Sequence, residues 1–182
     1  EFFERVLRAG DQASLLAFNH DLHPLVPFTG DTELLRFGPV GLRAWGATRL
    51  HDAIVHALFQ FSGRASRRAL IVLSDGGDVG SDYPIEQVID AAVQAGVAVY
   101  PIALGRGTGD LGRLADASGG RDCTIVRGHD LSEAFRRTEQ ELRSHYLVVY
   151  EPAVRETLDA SPIEVEVVRS GYRAREVRRF RR

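Results

Sequence analysis

Hydrophobic positions along this chain fall into two alternating kinds of run. Short apolar runs bounded by turn residues mark strands at residues 13–18 (ASLLAF), 24–28 (PLVPF), 69–73 (ALIVL), 97–104 (VAVYPIAL) and 123–126 (CTIV). Between them lie segments with apolar residues at three- and four-residue spacing, the signature of helices packed on one face. The strongest spans residues 85–95, where Ile85, Val88, Ile89, Ala92 and Val93 share a face and Gly96 closes the last turn. Further helices are expected at 1–9, from Thr32 (TELLRF, capped by Asp31 or Thr29), at 52–61, at 110–117 and at 131–144. In the last of these, Leu131, Phe135 and Leu142 are expected to face inward. The prolines of PLVPF place that strand at a sheet edge, because a proline gives no amide to the ladder.

Strands alternating with helices from residue 46 to 145 predict βαβ units. The expected fold is therefore α/β: a doubly wound, mostly parallel sheet with helices on both faces. The remaining stretch breaks that rhythm. Residues 146–150, 163–168 and 172–177 read as three short strands separated by Pro, Ser and Gly turns, an antiparallel β appendage. We thus expect an α/β domain over residues 1–145 and a short β-rich extension over 146–182. No apolar run approaches the ~20 residues needed to cross a bilayer.

Composition changes this picture at a few points. Apolar content of 44% and charged content of 26% are those of an ordinary globular chain. All 23 basic residues are arginine, which removes the phosphate-loop lysine, the Schiff-base lysine and the Ser-x-x-Lys nucleophile pair. The single cysteine, Cys123, excludes an internal disulfide and a multi-cysteine metal site. There is no methionine, and the chain opens inside a helix-like run, EFFERVLRAG, so its N-terminus is expected to lie upstream. The formal charge of −2 is uneven: residues 169–182 hold seven arginines and one glutamate. Because IEVEVVRSGYRAREV alternates as a strand does, this tail reads as a solvated strand edge, and no nucleic-acid partner is expected.

Residues 68–78, RALIVLSDGGD, organise the rest. An unbroken apolar run suits a strand buried on both faces of a parallel sheet. At its end Ser74, Asp75, Gly76 and Gly77 present a hydroxyl, a carboxylate and two flexible positions together. In open α/β sheets ligands bind beyond the carboxyl ends of the strands. A doubly wound sheet brings a second loop, Gly46-Ala47-Thr48, to that rim. A hydroxyl and a carboxylate there suit a hard divalent cation, since Mg²⁺ takes oxygen ligands and keeps several waters.

At these residues the sequence resembles the von Willebrand factor type A (VWA) domain, and more narrowly its bacterial branch. The likeness runs through ASLLAF and PFTGD, then GATRLHDAI, ALIVLSDGGD, GVAVYPIALG and LADASGG, to DLSEAFRRTEQELRSHYLVVYEP and GYRARE. The resemblance implies a metal-ion-dependent adhesion site, at which a divalent cation such as Mg²⁺ binds an acidic side chain of a partner protein. It implies binding without catalysis. Thr48 and Asp75 match the family's threonine and aspartate by position, and Asp78 matches a supporting position. The family's Asp-x-Ser-x-Ser motif has no counterpart here and would lie upstream of Glu1, together with a central strand expected between residues 13–18 and 69–73. Two near misses, at Asp116-Ala-Ser118 and Asp159-Ala-Ser161, follow elements of the wrong kind. Weak or absent Mg²⁺ binding by residues 1–182 is the expectation. The branch also implies export to the periplasm, envelope or exterior.

Rival readings are a Rossmann-like enzyme in which Asp75 holds Mg²⁺ for phosphoryl transfer, and a degenerate, metal-independent interaction domain. Other candidates read more simply. His20 and His23 flank a turn and are expected to be solvated; His51 and His56, five residues apart, do not share a helix face. Asp52 is expected to stabilise a helix N-terminus. Ser74 lacks the glycine elbow of a nucleophile.

Overall fold

The computed structural model describes residues 2–43, 46–64, 67–105, 109–125 and 131–144, together with Val168. In chain order these form α1 (Phe2–Val6), β1 (Ala13–Phe18), β2 (Leu22–Thr29), α2 (Thr32–Phe37), α3 (Leu50–Phe59), β3 (Ala69–Ser74), α4 (Ile85–Ala95), β4 (Ala98–Leu104), α5 (Asp110–Ser118), β5 (Cys123–Ile125) and α6 (Leu131–Arg143).

β3, β4 and β5 form a parallel sheet in that order, with Ala69 opposite Ala98 and Ile102 opposite Cys123. Each step between neighbouring parallel strands needs a crossover, and α4 and α5 supply them. Both return over one face, as right-handed crossovers running in the same direction must. There Val88 and Ala92 of α4 and Leu111 and Leu114 of α5 meet Val72, Val99 and the apolar side of α3 in one core. The opposite face carries a second, smaller core, in which Ile102 and Ile125 meet Ala134 of α6 with Leu131 and Phe135 beside them. Strand alternation explains the division: Leu70 and Val72 point to the first core, and Ile71 between them to the second. The α/β fold with helices on both faces is as expected.

β1 and β2 form a separate antiparallel hairpin, and α2 packs on it. Helix α3 packs against both β1 and β3, and Phe18 of β1 reaches the first core. On the other side α1 joins α6 to α2, with the rings of Phe2 and Phe135 4.8 Å apart. Among the described residues no strand links β1 to β3, so the β structure divides in two where a central strand is expected to be lacking.

Several boundaries differ from the sequence reading. β2 starts at Leu22, because pairing of Phe18 with Leu22 continues the ladder into the turn. α3 starts at Leu50, two residues early. In α6 the fully buried residues are Ala134, Thr138 and Glu139, while Leu131, Phe135 and Leu142 are half-buried. Thr138 is tolerated there because its hydroxyl donates to the Ala134 carbonyl at 3.0 Å, and Glu139 because Arg143 and Arg5 lie beside it. The β appendage expected over 146–182 lies outside the described residues, apart from Val168.

Candidate functional site

Three segments meet beyond the carboxyl ends of β1 and β3. The Arg49 amide donates to the carbonyl of Asn19, in the β1–β2 turn, at 2.8 Å. One residue earlier, the Thr48 carbonyl accepts from the Val79 amide, in the β3–α4 loop, also at 2.8 Å. The segment entering α3 is therefore pinned between the other two. Gly46 needs its positive φ of 81°, and a Cβ there would stand 3.2 Å from His20 Nδ1.

Ser74 and Asp75 turn the chain out of β3. The Ser74 hydroxyl accepts from the Gly76 amide at 3.2 Å, and Asp75 Oδ1 accepts from the Gly77 amide at 3.1 Å. Asp75 itself is exposed. Thr48 uses its carbonyl for the loop contact, leaving its hydroxyl uncommitted among the described residues.

Asp78 is engaged differently. Its Oδ1 accepts from the His51 amide at 3.1 Å and from the Ser81 hydroxyl at 2.6 Å, while Ser81 Oγ accepts from the Asp52 amide at 3.3 Å. The first amides of a helix have no intrahelical partner, and Arg49 at the cap position of α3 makes no side-chain cap bond. The β3–α4 loop caps α3 instead. Burial raises the Asp78 carboxyl, but the hydrogen bonds from Ser81 and the His51 amide outweigh it. With the His51 ring 3.9 Å away they hold the carboxyl below its ordinary 3.8.

Asp52 stands in the first turn of α3, as expected, but its carboxylate also serves another segment. It is buried, and its Oδ1 accepts from the amides of Asp82 at 2.8 Å and Tyr83 at 3.1 Å. Arg49 stands 3.4 Å from both the Asp52 and the Asp82 carboxylates. His51 Nδ1 lies 3.1 Å from the Tyr83 carbonyl oxygen and donates to it in the matching tautomer. Sequence reasoning missed Asp52, Ser81 and Tyr83 as one assembly; no motif pairs groups so far apart in the chain.

Of the remaining candidates, only His20 stands beside the rim, its ring against Gly46. His20 pairs with Asp21 at 3.0 Å and His23 with Asn19 at 3.2 Å, both local to the turn. Ser118 of the Asp116 near miss is buried; its hydroxyl accepts from the Val99 amide and donates to the Ala115 carbonyl, joining α5 to β4. Asp159 lies outside the described residues. For a hard cation the rim offers oxygen donors of the right kind from Thr48 and Asp75. Among the described residues no group of three or more His, Cys, Asp or Glu could hold a metal ion. Nor does any described helix have the length and apolarity to cross a membrane.

No protein-family model matches the chain, and no curated protein matches it in sequence. Its shape matches solved structures. A von Willebrand factor type A protein from Catenulispora acidiphila aligns over 78% of this chain and 35% of its own, with 19% identity and a TM-score of 0.66. The VWA domain of SpRpn10 aligns over 75% and 77%, with 16% identity and a TM-score of 0.60. An aerotolerance-related membrane protein from Bacteroides fragilis aligns over 77% and 85%, with 14% identity and a TM-score of 0.60. At such identities the likeness is one of fold.

Proposed function

We propose that this chain, whose fold is that of a von Willebrand factor type A domain, is a protein-interaction module that holds an acidic group of its partner at the Thr48–Asp75 rim. The Thr48 hydroxyl and an Asp75 carboxylate oxygen are the protein ligands of a divalent cation, Mg²⁺ in the simplest case. Bound there, the cation supplies a positive charge that a partner's carboxylate completes. Asp78 acts from behind, by holding the loop that carries Asp75. The observation that carries this reading is the Val79–Thr48 hydrogen bond, which brings the two loops to one rim. Two protein oxygens leave most of an octahedral shell to water and partner, so residues 1–182 alone bind Mg²⁺ at about millimolar strength or weaker.

The phosphoryl-transfer reading loses support at this rim, because a chain without lysine lacks the usual phosphate-binding ammonium. A metal-independent interaction surface is the second reading, favoured by the sparse donor set. We place the protein in the bacterial envelope or outside the cell, a reading supported by its likeness in shape to the Bacteroides fragilis membrane protein.

Mn²⁺ as a paramagnetic probe tests the metal. Broadening is expected to centre on the amides of Gly46–Thr48 and Asp75–Gly77, and to vanish in Asp75→Asn. Broadening spread over unrelated surface carboxylates rejects the site and leaves the metal-independent reading.

A further inference from the structure

We propose that Asp52 is a positioning residue: its buried carboxylate holds the β3–α4 loop on the first turn of α3 and so fixes Asp75 against Thr48. The functional consequence rests on reading Thr48 and Asp75 as one site.

The loop has little else to hold it. Residues 75–84 include Gly76, Gly77 and Gly80, contribute no buried side chain, and expose Val79 to 61%. A segment with so few apolar contacts opens locally unless polar contacts restrain it. Those contacts come from α3 and the residues just before it: Thr48 O to Val79, the His51 amide to Asp78, the Asp52 amide to Ser81, and, beside the exposed Arg49–Asp82 pair and the His51 ring at the Tyr83 carbonyl, the buried Asp52 carboxylate to the amides of Asp82 and Tyr83. The last pair sits immediately before Pro84, the cap residue of α4, so it anchors the far end of the loop. Helix and loop thus exchange partners. The loop caps α3, which leaves the Asp52 carboxylate free to turn outward, and α3 returns that carboxylate to the loop. A carboxylate merely favouring its helix dipole could stay in water. Asp52, only 7% exposed, bears the cost of burial, offset by two amides and the Arg49 guanidinium.

Amide hydrogen exchange on residues 1–182 tests this. In the parent protein the amides of Val79, Asp82 and Tyr83 are expected to open as one unit, with a shared dependence on denaturant distinct from that of β4. In Asp52→Ala the three exchange at least about tenfold faster while Val99–Ala103 of β4 are unchanged. Asp52→Asn, which keeps an acceptor oxygen, stays within about threefold of the parent. Independent opening of the three amides overturns the proposal, as does parental protection of Val79 in Asp52→Ala, or equal acceleration in β4. The parent measurement needs no variant, so it decides even where Asp52→Ala fails to fold. Mn²⁺ broadening at the rim weakens in Asp52→Ala and returns in Asp52→Asn. If the parent shows no rim broadening the metal reading falls, and Val79 exchange alone decides the positioning role.

Discussion

The Val79 amide donates to the Thr48 carbonyl at 2.8 Å, so a main-chain hydrogen bond joins the loop entering α3 to the loop leaving β3. Thr48 therefore has two separable groups: a carbonyl that holds the loop contact and a hydroxyl that the proposed site assigns to the cation. Thr48→Val removes the hydroxyl and keeps the carbonyl and the branched shape. Its unfolding free energy is expected within about 0.5 kcal/mol of the parent. Mn²⁺ broadening at Asp75 should fall sharply. A larger loss of stability in urea would show that the hydroxyl holds structure instead.

Gly120 approaches β4 so closely that an added Cβ would stand 1.8 Å from the Val99 carbonyl oxygen. That neighbour is backbone in the centre of the sheet and cannot swing aside. Gly120→Ala is expected to cost about 2 kcal/mol or more, since both α5 and β4 must shift. Chemical denaturation measures it; a cost under about 0.5 kcal/mol would mean that the turn after α5 relaxes freely.

Helix α2 depends on its cap. Asp31 Oδ1 accepts from the amides of Glu33 at 2.9 Å and Leu34 at 3.2 Å, and the helix has only six residues. Asp31→Ala is expected to cost about 1 kcal/mol, and Asp31→Ser much less, because serine also caps. Equal losses in urea melts of the two variants would locate the effect outside the cap.

Acid should weaken the fold in a defined window. Hydrogen bonds from Arg136 and then Arg137 lower the Glu133 carboxyl from 4.5 to about 2. A carboxylate depressed in the folded state stabilises above its unfolded pKa, and that contribution is lost as pH falls through the folded value. The Glu133 contribution is thus present at neutral pH and fades between pH 4.5 and about 2. Asp78, held below 3.8, adds to the same limb. Melting temperatures from pH 7 to pH 2 should fall less steeply for Glu133→Gln than for the parent. Parallel curves would show that the surface pair contributes nothing measurable, as exposed pairs often do.

Elements whose ends are set by neighbouring residues were legible in the sequence. β1 and α4 begin and end as expected, α4 because Gly96 takes the left-handed conformation at φ 58°. Asp31 was legible as a cap because its partners follow directly. The start of α3 was not, because Asp78 and Ser81 cap it from across the chain. The reading of α6 favoured large residues; Leu131 and Phe135 do pack against the second core, but its buried member from α6 is the small Ala134. At the rim, Thr48 and Asp75 are candidates from their residue types at strand and helix ends, and the Val79–Thr48 bond joins the loops that carry them. The place of Asp52 in the first turn of α3 was legible; its partners, the amides of Asp82 and Tyr83, were not, because local propensity says nothing of amides brought there by folding.

β1 and β3 each carry a partner on one side only among the described residues. Backbone donors and acceptors on the vacant side of a strand accept any extended chain that offers a matching row. An open strand edge among the described residues is thus a place where an extended segment can add its own row of hydrogen bonds.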